Sequence, residues 1–332
     1  METTFGEARV NLVATQGRFG QVDEQFLSER LKESRRIVSE VAARTEKPLV
    51  VQFSGGRDSM AMLGLVREVT RDFVCSYMAT GLEFPGVVQF VRETCEKLGV
   101  GLVISYPYHY KGNLFQRIET LKKFPIMNGP KWCCRDLKLR PQKAMLHQTF
   151  GKGTFYKLEG IRLAESSRRG FIYKDYRDSM MRPDGEHKGS FEVFPVLRWT
   201  NQDVLKYLEM AGLPTSGLYK KFGVSGCAWC PFYGPDIYRR VLAELPGFYD
   251  RYIEWEEKLG QPSVAGNIYL RDLKREVVEG TAPPARAVAP IRTPCMTMMG
   301  GRMVPTCEVY GHFYIGGKCH RCDRPEVEGG MR

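Results

Sequence analysis

The sequence between residues 48 and 60 reads Pro48-Leu49-Val50-Val51-Gln52-Phe53-Ser54-Gly55-Gly56-Arg57-Asp58-Ser59-Met60. Its first half is a short apolar run, which is typical of a buried parallel strand. Two glycines follow, and beyond them apolar residues recur at helical spacing as far as Val69. In such a strand-turn-helix unit the backbone can approach a phosphate, which the N–H groups and dipole of the helix N-terminus attract. The sequence therefore predicts a phosphate-binding loop over residues 54–59.

The order of residues in this loop indicates which kind of phosphate loop it is. It is not a Walker A loop, because no Gly-Lys-Ser/Thr follows four residues after a glycine. Ser54 and Ser59 offer hydroxyls, and the Asp58 carboxylate can hold Mg²⁺. The loop resembles the SGGxDS signature of the PP-loop (N-type) ATP pyrophosphatases, with Arg57 at the variable position. From the residues alone, a simple glycine turn between a strand and a helix is the alternative.

Strand-like and helical patterns alternate along the chain. Apolar runs suited to strands at 73–78, 101–106 and 155–161 are interleaved with helical patterns at 87–98, 142–149 and 203–210. This alternation predicts an α/β fold with a doubly wound, mostly parallel sheet. The polar and charged stretch 165–190 is predicted to be a loop.

Composition bounds the class of protein. The 332 residues are 43% hydrophobic and 26% charged, as expected for a soluble globular chain. No run of 18 apolar residues occurs, and the first residues lack the features of a signal peptide, so we expect a cytoplasmic protein without a membrane partner. The net charge of +11 favours polyanionic partners such as nucleotides or nucleic acid, although a basic surface alone would also explain it.

Further segments resemble motifs of the PAPS reductase (phosphoadenosine phosphosulfate reductase) family, in the family's order across residues 48–232. They read Ala79-Thr80-Gly81-Leu82-Glu83-Phe84-Pro85, Trp132-Cys133-Cys134-Arg135-Asp136-Leu137-Lys138, Gly160-Ile161-Arg162-Leu163-Ala164-Glu165-Ser166-Ser167-Arg168, Pro195-Val196-Leu197-Arg198-Trp199-Thr200-Asn201-Gln202-Asp203-Val204 and Gly226-Cys227-Ala228-Trp229-Cys230-Pro231. The resemblance implies the HUP-type adenine nucleotide fold.

The resemblance also implies roles for individual residues. The expected nucleotide-binding residues are Ser54, Gly55, Gly56, Arg57, Asp58, Ser59, Thr80, Gly81, Glu83, Gly160 and Arg162. The expected catalytic residues are Asp58, Ser59, Arg162 and Arg168, of which the two arginines would contact phosphate or sulfate oxygens. Trp199 and Thr200 are expected instead to fill the core and to cap the helix that follows.

Four cysteines in the middle of the chain form two pairs, Cys133 with Cys134 and Cys227 with Cys230. Adjacent cysteines rarely bridge to each other without strain, and a C-x-x-C pair favours a shared metal. Four thiolates suit Zn²⁺ or a [4Fe–4S] cluster, and a buried, reduced set is a third interpretation. The resemblance favours the cluster, because adenylyl-sulfate reductases of the family bind one through this pattern. Lys138 would then lie near its negative charge.

The last residues contain a second set of metal-ligand types, Cys307-x4-His312-x6-Cys319-x2-Cys322. This spacing predicts a small zinc module, with Cys295 as the alternative to His312. So short a segment cannot bury enough core alone, and the metal would supply its folding free energy. A disordered, reduced tail is the alternative.

These observations divide the chain into five predicted parts. They are an N-terminal helical leader (1–46), a PP-loop domain (47–235), a helical extension (236–280), a linker (281–294) and the zinc module (295–325).

Three functions remain at this stage. The first is an ATP pyrophosphatase-type sulfur-transfer enzyme that adenylylates a nucleic-acid acceptor, DNA or tRNA, and uses Mg²⁺, a [4Fe–4S] cluster and a sulfur donor such as a cysteine desulfurase. The second is a reductase of adenylyl sulfate (APS) or its 3′-phosphate form (PAPS), and the third a non-catalytic regulator. The intact loop favours ATP, and the lack of a Glu-Cys-Gly tail motif disfavours simple reduction. A homodimer is compatible with each.

Overall fold

The computed structural model describes residues 24–44, 47–107, 112–125, 132–151, 155–165, 167–185, 187–224, 226–231, 233–264, 266–283, 295–299, 302–306, 314–315 and 318–319. Its central sheet contains β1 Leu49–Gln52, β2 Val74–Met78, β3 Gly101–Ser105, β4 Tyr156–Glu159, β5 Met181–Pro183 and β6 Phe191–Val193. Their spatial order is β3-β2-β1-β4-β6-β5, parallel except that β5 runs antiparallel to β6. The predicted α/β fold with a doubly wound, mostly parallel sheet is confirmed.

Helices pack around this sheet. They are α1 Glu24–Ala42, α2 Arg57–Val69, α3 Val87–Leu98, α4 Leu114–Leu121, α5 Trp132–Cys134, α6 Arg140–Phe150, α7 Ser167–Tyr173, α8 Asn201–Met210, α9 Leu218–Phe222, α10 Pro235–Glu244, α11 Asp250–Leu259 and α12 Leu270–Val278. A π-helical turn, Arg135–Leu139, joins α5 to α6. Within the described part of the chain, no helix combines the length and apolarity needed to cross a bilayer.

Helix α2 lies at the centre of the fold. Every residue from Ser59 to Val66 is buried, because the helix packs against both α1 and α8. Gly64 makes room for α8: a Cβ atom there would lie 2.3 Å from a methyl carbon of Leu213 and 3.2 Å from the hydroxyl of Tyr207. Helix α2 is thereby fixed in place, and its N-terminus carries the predicted phosphate loop.

Helix α1 belongs to the same core. Leu31, Ile37, Val38 and Val41 are buried in it. The Ser34 hydroxyl donates to the carbonyl of Pro195 (2.6 Å) and accepts from the indole N–H of Trp199 (2.9 Å). These bonds connect the helix to a segment 161 to 165 residues further along the chain, so the described part of the predicted leader, residues 24–44, packs on the sheet domain. The division of the chain into domains stays a prediction.

Two local predictions have different outcomes. Trp199 is buried, and Thr200 caps α8 in a reciprocal capping box with Asp203, as expected. The loop predicted over 165–190 instead contains α7 and β5. Sequence periodicity misses them because this region is held by charge and ring contacts: Arg182 pairs with Glu192 and lies over the Tyr173 ring, 4.7 Å from its centroid.

The C-terminal residues form two strand pairs, β7 Cys295–Met299 with β8 Arg302–Thr306, and β9 Tyr314–Ile315 with β10 Lys318–Cys319. Of the predicted zinc ligands, Cys307, His312 and Cys322 lie outside the described residues, and for Cys319 only the backbone is described. The zinc module stays a prediction.

The two bonds of Ser34 provide a test of how firmly α1 belongs to the core. Ser34→Ala leaves the indole N–H of Trp199 and the carbonyl of Pro195 without their buried partner. We expect a loss of about 3 kcal/mol in the free energy of unfolding, since each unpaired group costs roughly 1–3 kcal/mol. Urea denaturation measures it, with the exposed Ser39→Ala as control. A loss equal to that of the control would show that α1 contributes little.

Candidate functional site

The phosphate loop follows β1 directly and is held by its own serines. The Ser59 hydroxyl donates to the carbonyl of Gly56 (2.9 Å) and accepts from the backbone N–H of Ser54 (3.1 Å). The two serine hydroxyls are 2.9 Å apart. Gly55 has a φ of +74°, which a side chain would strain. The loop is therefore pre-formed, with its turn fixed by residues of the signature itself.

The N-terminus of α2 supplies the electrostatics of the loop. Gly56 occupies the N-cap and has no side chain with which to cap the first turn. The backbone at such a helix start carries partial positive charge, which favours phosphate oxygens. Asp58 is the acidic residue of this first turn.

Arg162 fixes the side chain of Asp58. Its Nη2 atom donates to one carboxylate oxygen (3.1 Å), and its Nε atom lies 3.0 Å from the other as an ion-pair contact without hydrogen-bond geometry. Nη2 also donates to the Asn201 side chain (2.7 Å), and Nη1 donates to the carbonyl of Trp199 (3.3 Å). Because Arg162 is only 2% exposed, its guanidinium orients Asp58 and connects the loop to the start of α8. Nothing in the sequence pattern indicated Asn201 as a partner.

Gly160 lets the end of β4 touch the loop. A Cβ atom there would lie 2.9 Å from the carbonyl carbon and oxygen of Asp58 and 3.0 Å from the nitrogen of Ser59. These are backbone atoms, which cannot rotate away. β1 and β4 are neighbours at the point where the strand order reverses, which is where ligands bind in open α/β sheets.

The predicted residues Thr80, Gly81 and Glu83 form a turn after β2. The Glu83 carboxylate accepts from the N–H and hydroxyl of Thr80, both at 2.6 Å, and from the N–H of Gly81 at 2.9 Å. Glu83 therefore shapes its own turn. The backbone of Leu82 accepts from the N–H of Ala228 (2.6 Å), which joins this turn to the second cysteine pair.

A cleft of about 460 Å³ connects the phosphate loop to the cysteines. It runs along the carboxyl ends of β1 and β2. Its lining includes Ser54, Glu83, Lys138 and Cys227. The structure thus places the start of the loop, the turn after β2 and the first cysteine of the second pair around a single space.

The first cysteine pair lies where α5 becomes the π-helical turn. A hydrogen bond with Cys134, followed by burial, raises the pKa of the Cys133 thiol, and the charge of Cys230 adds to the effect. Lys138, one turn further on, lines the cleft together with Cys227. Burial opposes the charge of Lys138, but the negative groups around it, Cys227 first, outweigh burial and raise its pKa. The two pairs are therefore neighbours in space.

A buried carboxylate anchors the π-helical turn that carries Lys138. Asp136 is fully buried and accepts from Arg117 (2.7 Å) and from Arg135 (2.7 Å), while Arg140 lies 3.7 Å away. Burial opposes its ionisation, but the hydrogen bonds from Arg135 and Arg117 hold the pKa of Asp136 below its usual value. A π-turn of this kind often marks a functional site.

The thiols can be compared with the metals that four cysteines suggest. Among the residues whose side chains are described, no three His, Cys, Asp or Glu groups are close enough to hold one metal ion. A single Zn²⁺ requires four thiolates at about 2.3 Å from one centre. In a [4Fe–4S] cluster each thiolate binds a different iron, so the ligands lie further apart. Two neighbouring pairs of thiols fit the cluster better than a single ion.

The structure brings most of the predicted residues together but not all. The loop residues, Gly160 and Arg162 meet at the switch point, and Glu83 and Cys227 line the same cleft. Arg168 lies at the start of α7, and its side chain is outside the described set.

Sequence comparison gives the chain its relatives. The family model described as phosphoadenosine phosphosulfate reductase domain matches residues 48–233, more than half of the chain. Two uncharacterized proteins of Methanocaldococcus jannaschii are 25% and 27% identical over 68% and 63% of this chain, and the chain spans 44% and 47% of their length. An adenosine 5′-phosphosulfate reductase of Staphylococcus epidermidis is 24% identical over 63% of this chain and 81% of its own length.

Comparison of structures finds distant likenesses. A phosphoadenylyl-sulfate reductase from Candida auris is 15% identical with a TM-score of 0.45, over 64% of this chain and 98% of its own. The U34-tRNA thiolase NcsA from Methanococcus maripaludis, with its [4Fe-4S] cluster, is 17% identical with a TM-score of 0.43, over 74% of this chain and 84% of its own.

The contact at Gly160 makes a prediction about nucleotide binding. In Gly160→Ala, the new methyl group must push the loop backbone away from β4. We expect ATP to bind at least tenfold more weakly, since overpacking of this kind costs about 1–3 kcal/mol and 1.4 kcal/mol is tenfold. Titration calorimetry measures the affinity. Gly185→Ala, whose Cβ would meet nothing within 4 Å, is the control. Unchanged affinity in both variants would mean that the loop does not bind ATP.

Proposed function

We propose a function from one premise: the chain belongs to the phosphoadenosine phosphosulfate reductase domain family. On this premise the chain is an adenine-nucleotide enzyme that cleaves ATP between the α and β phosphates and transfers sulfur to the adenylylated acceptor. The acceptor is a nucleic acid. The intact loop signature at residues 54–59 and the net charge of +11 support this proposal.

One observation carries the proposal. Ser54 of the pre-formed phosphate loop and Cys227 of the second cysteine pair line the same cleft, together with Lys138. A nucleotide held by its phosphates at the loop would therefore extend its reacting centre toward the thiols. Such an arrangement suits a reaction in which an activated adenylate meets sulfur.

The chemistry requires two displacements. An oxygen of the acceptor attacks the α-phosphorus of ATP, the bond from this phosphorus to the bridging oxygen breaks, and pyrophosphate leaves. Hydrosulfide then attacks the acceptor atom that carries the adenylylated oxygen, the bond from that atom to the oxygen breaks, and the oxygen leaves as part of AMP. The loop N–H groups and the hydroxyls of Ser54 and Ser59 would stabilise the negative charge that grows on pyrophosphate.

Asp58 fits the role of a Mg²⁺ ligand beside the loop. Its carboxylate is paired with Arg162 but remains about a quarter exposed, and each oxygen keeps a second lone-pair direction. Mg²⁺ usually takes one or two protein carboxylates and completes its shell with water and phosphate oxygens. Bound there, the ion would neutralise charge on the departing pyrophosphate. Arg162 would hold the carboxylate in place for it.

The cysteines would hold the sulfur side of the reaction. Cys133, Cys134, Cys227 and Cys230 would ligate a [4Fe–4S] cluster with one thiolate on each iron, and the cluster when bound would supply an electron-transfer centre beside the nucleotide. Lys138 would balance the negative charge at these thiols from within the cleft. The sulfur would come as the persulfide of a donor protein such as a cysteine desulfurase, and an external thiol would supply the two electrons that release it as hydrosulfide.

The exposed surface of helix α7 supports the proposal that the acceptor is a nucleic acid. It follows Arg162 in the chain and exposes Phe171, whose side chain is 65% accessible. The ammonium of Lys174 lies 4.9 Å from the centroid of this ring, and Arg169 is on the same helix. An exposed aromatic ring among cations is typical of surfaces that stack and neutralise single-stranded nucleic acid.

Reduction of a sulfonucleotide is the second candidate. It is favoured by the Staphylococcus epidermidis relative, an adenosine 5′-phosphosulfate reductase that this chain matches over 81% of its length. In that reaction a thiolate attacks the sulfur of the bound sulfonucleotide, AMP leaves, and a second thiol releases sulfite by forming a disulfide. The same cleft would hold the nucleotide.

Release of pyrophosphate separates these functions. With ATP, Mg²⁺ and total tRNA or single-stranded DNA, the protein is expected to release pyrophosphate. Asp58→Asn keeps the size of the side chain and its acceptor oxygen for Arg162, but it removes the negative charge that would hold Mg²⁺. We expect the rate to fall about 100-fold or more. A coupled phosphate assay measures it, with the exposed Asp72→Asn as control.

The reductase and the non-catalytic regulator predict different results in these assays. Sulfite from adenylyl sulfate and a thiol donor, without pyrophosphate from ATP, would support the reductase. Nucleotide binding without either product would leave a non-catalytic regulator.

The cysteine site predicts bound iron. Protein purified without oxygen is expected to contain about four irons per chain and to absorb near 400 nm, roughly as thiolate-bound iron–sulfur centres do. Cys227→Ser is expected to lose most of the iron and colour, whereas the buried Cys75→Ser is expected to keep both. Metal analysis and absorption spectra measure this. Colourless protein with one tightly bound zinc at these cysteines would contradict the cluster.

A further inference from the structure

Three tyrosines hold the backbone of the second cysteine pair. The hydroxyl of Tyr233 donates to the carbonyl of Cys227 (2.9 Å), and the hydroxyl of Tyr238 donates to the carbonyl of Cys230 (2.6 Å). The hydroxyl of Tyr249 donates to the carbonyl of Ala228. Three carbonyls within four residues are thus bound by side chains that follow the cysteines in the chain.

The opposite side of this cysteine loop is bound as well. The N–H of Ala228 donates to the carbonyl of Leu82 (2.6 Å), and Cys227 forms an isolated antiparallel bridge with Glu83. The loop therefore lies between the turn after β2 and the tyrosines. With its backbone bound on both sides, it has little freedom to reorient its two thiols.

Two of the tyrosines belong to the helical extension and are buried in it, whereas Tyr233 precedes it and is half-buried. Tyr238 lies on α10, Tyr249 lies just before α11, and both are fully buried. Their rings pack at a centroid distance of 5.5 Å. Phenylalanine would fill the same space without a polar atom to satisfy, so packing alone does not explain three hydroxyls.

The hydroxyls act on this loop together with the backbone. The carbonyl of Cys230 also accepts from the backbone N–H of Tyr233 (2.9 Å), so the Tyr238 hydroxyl is its second donor. The carbonyls of Cys227 and Ala228 accept from the hydroxyls of Tyr233 and Tyr249.

We propose that Tyr233, Tyr238 and Tyr249 are positioning residues that pre-organise Cys227 and Cys230 for a thiol-ligated metal centre. Groups behind the direct ligands commonly orient them, and a ligand fixed beforehand binds with a smaller entropy cost. In its metal-binding aspect the proposal rests on the proposed function. The rigidity of the loop does not, because it is a property of the chain without metal.

The first experiment measures that rigidity in the full chain, stripped of metal with a chelator and kept reduced. Alkylation of Cys227 and Cys230 by iodoacetamide is followed by mass spectrometry in Tyr233→Phe, Tyr238→Phe, Tyr249→Phe and the triple variant. Each single change is expected to accelerate alkylation about tenfold, because a carbonyl of the loop loses a donor and the loop opens more often. The triple variant is expected to exceed every single one.

Tyr269→Phe is the matched control. Its hydroxyl also donates to a carbonyl of the extension, that of Gly260 (3.2 Å), but far from the cysteine loop in sequence and exposed to solvent. Circular dichroism and urea midpoints check that each variant is folded, and the single variants carry the test if the triple variant unfolds. Rates within twofold of wild type in all folded single variants, or an equal acceleration in Tyr269→Phe, would overturn the proposal.

The second experiment uses protein purified without oxygen and measures the loss of iron to a chelator. We expect Tyr238→Phe and Tyr249→Phe to lose iron about tenfold faster than wild type, with Tyr269→Phe unchanged. Equal rates of loss would overturn the metal-binding aspect. If wild type contains no iron, the proposed cluster fails, whereas the alkylation rates still decide whether the tyrosines fix the thiols.

Discussion

The site depends on the close approach between the end of β4 and the phosphate loop. Because Gly160 has no side chain, the two backbones touch at Asp58 and Ser59. Two residues later Arg162 is then near enough to bind both oxygens of Asp58 and to reach Asn201 at the start of α8. The position of the loop, the orientation of its carboxylate and the attachment of a neighbouring helix all follow from one missing Cβ atom.

The two ends of the cleft are stabilised in different ways. At the loop end, charge is paired with charge, as in Asp58 with Arg162, and a helix dipole is left to face a ligand. At the cysteine end, the first pair is anchored by the buried Asp136 among arginines, whereas the second pair is held by neutral hydroxyls. Neutral donors fix a backbone without adding charge beside thiolates, so the charge at the thiols is set within the cleft by Lys138.

Much of the fold could be predicted from the sequence, because its signals are local. The strand, turn and helix around Gly55, the helix at Val87–Leu98 and the capping box at Thr200 each have a pattern that can be read within a few residues. Helix α7 could not be predicted in this way, since contacts of Arg182 and Glu192 hold that region.

The residues of the site also differ in whether a local sequence pattern could predict them. The loop and the cysteines have recognisable spacings, and the family resemblance supplied Gly160 and Arg162. Asn201 and the three tyrosines have no recognisable spacing in the sequence. Their role depends on the distant backbone or side-chain group that each of them contacts in the fold. The sequence predicted 236–280 as helical without indicating that its hydroxyls point at the cysteine loop.

The location of the tyrosines affects how this domain can be treated as a unit. The family match ends at residue 233, yet Tyr238 and Tyr249 come after it. The boundary defined by sequence similarity is therefore not the boundary of the cysteine site. Transplanting residues 48–233 into another protein would move the cysteines without two of their three supports, so a transplanted segment that keeps all three extends at least to Tyr249. Relatives that share the matched region but differ in the following helices would need another way to hold this loop.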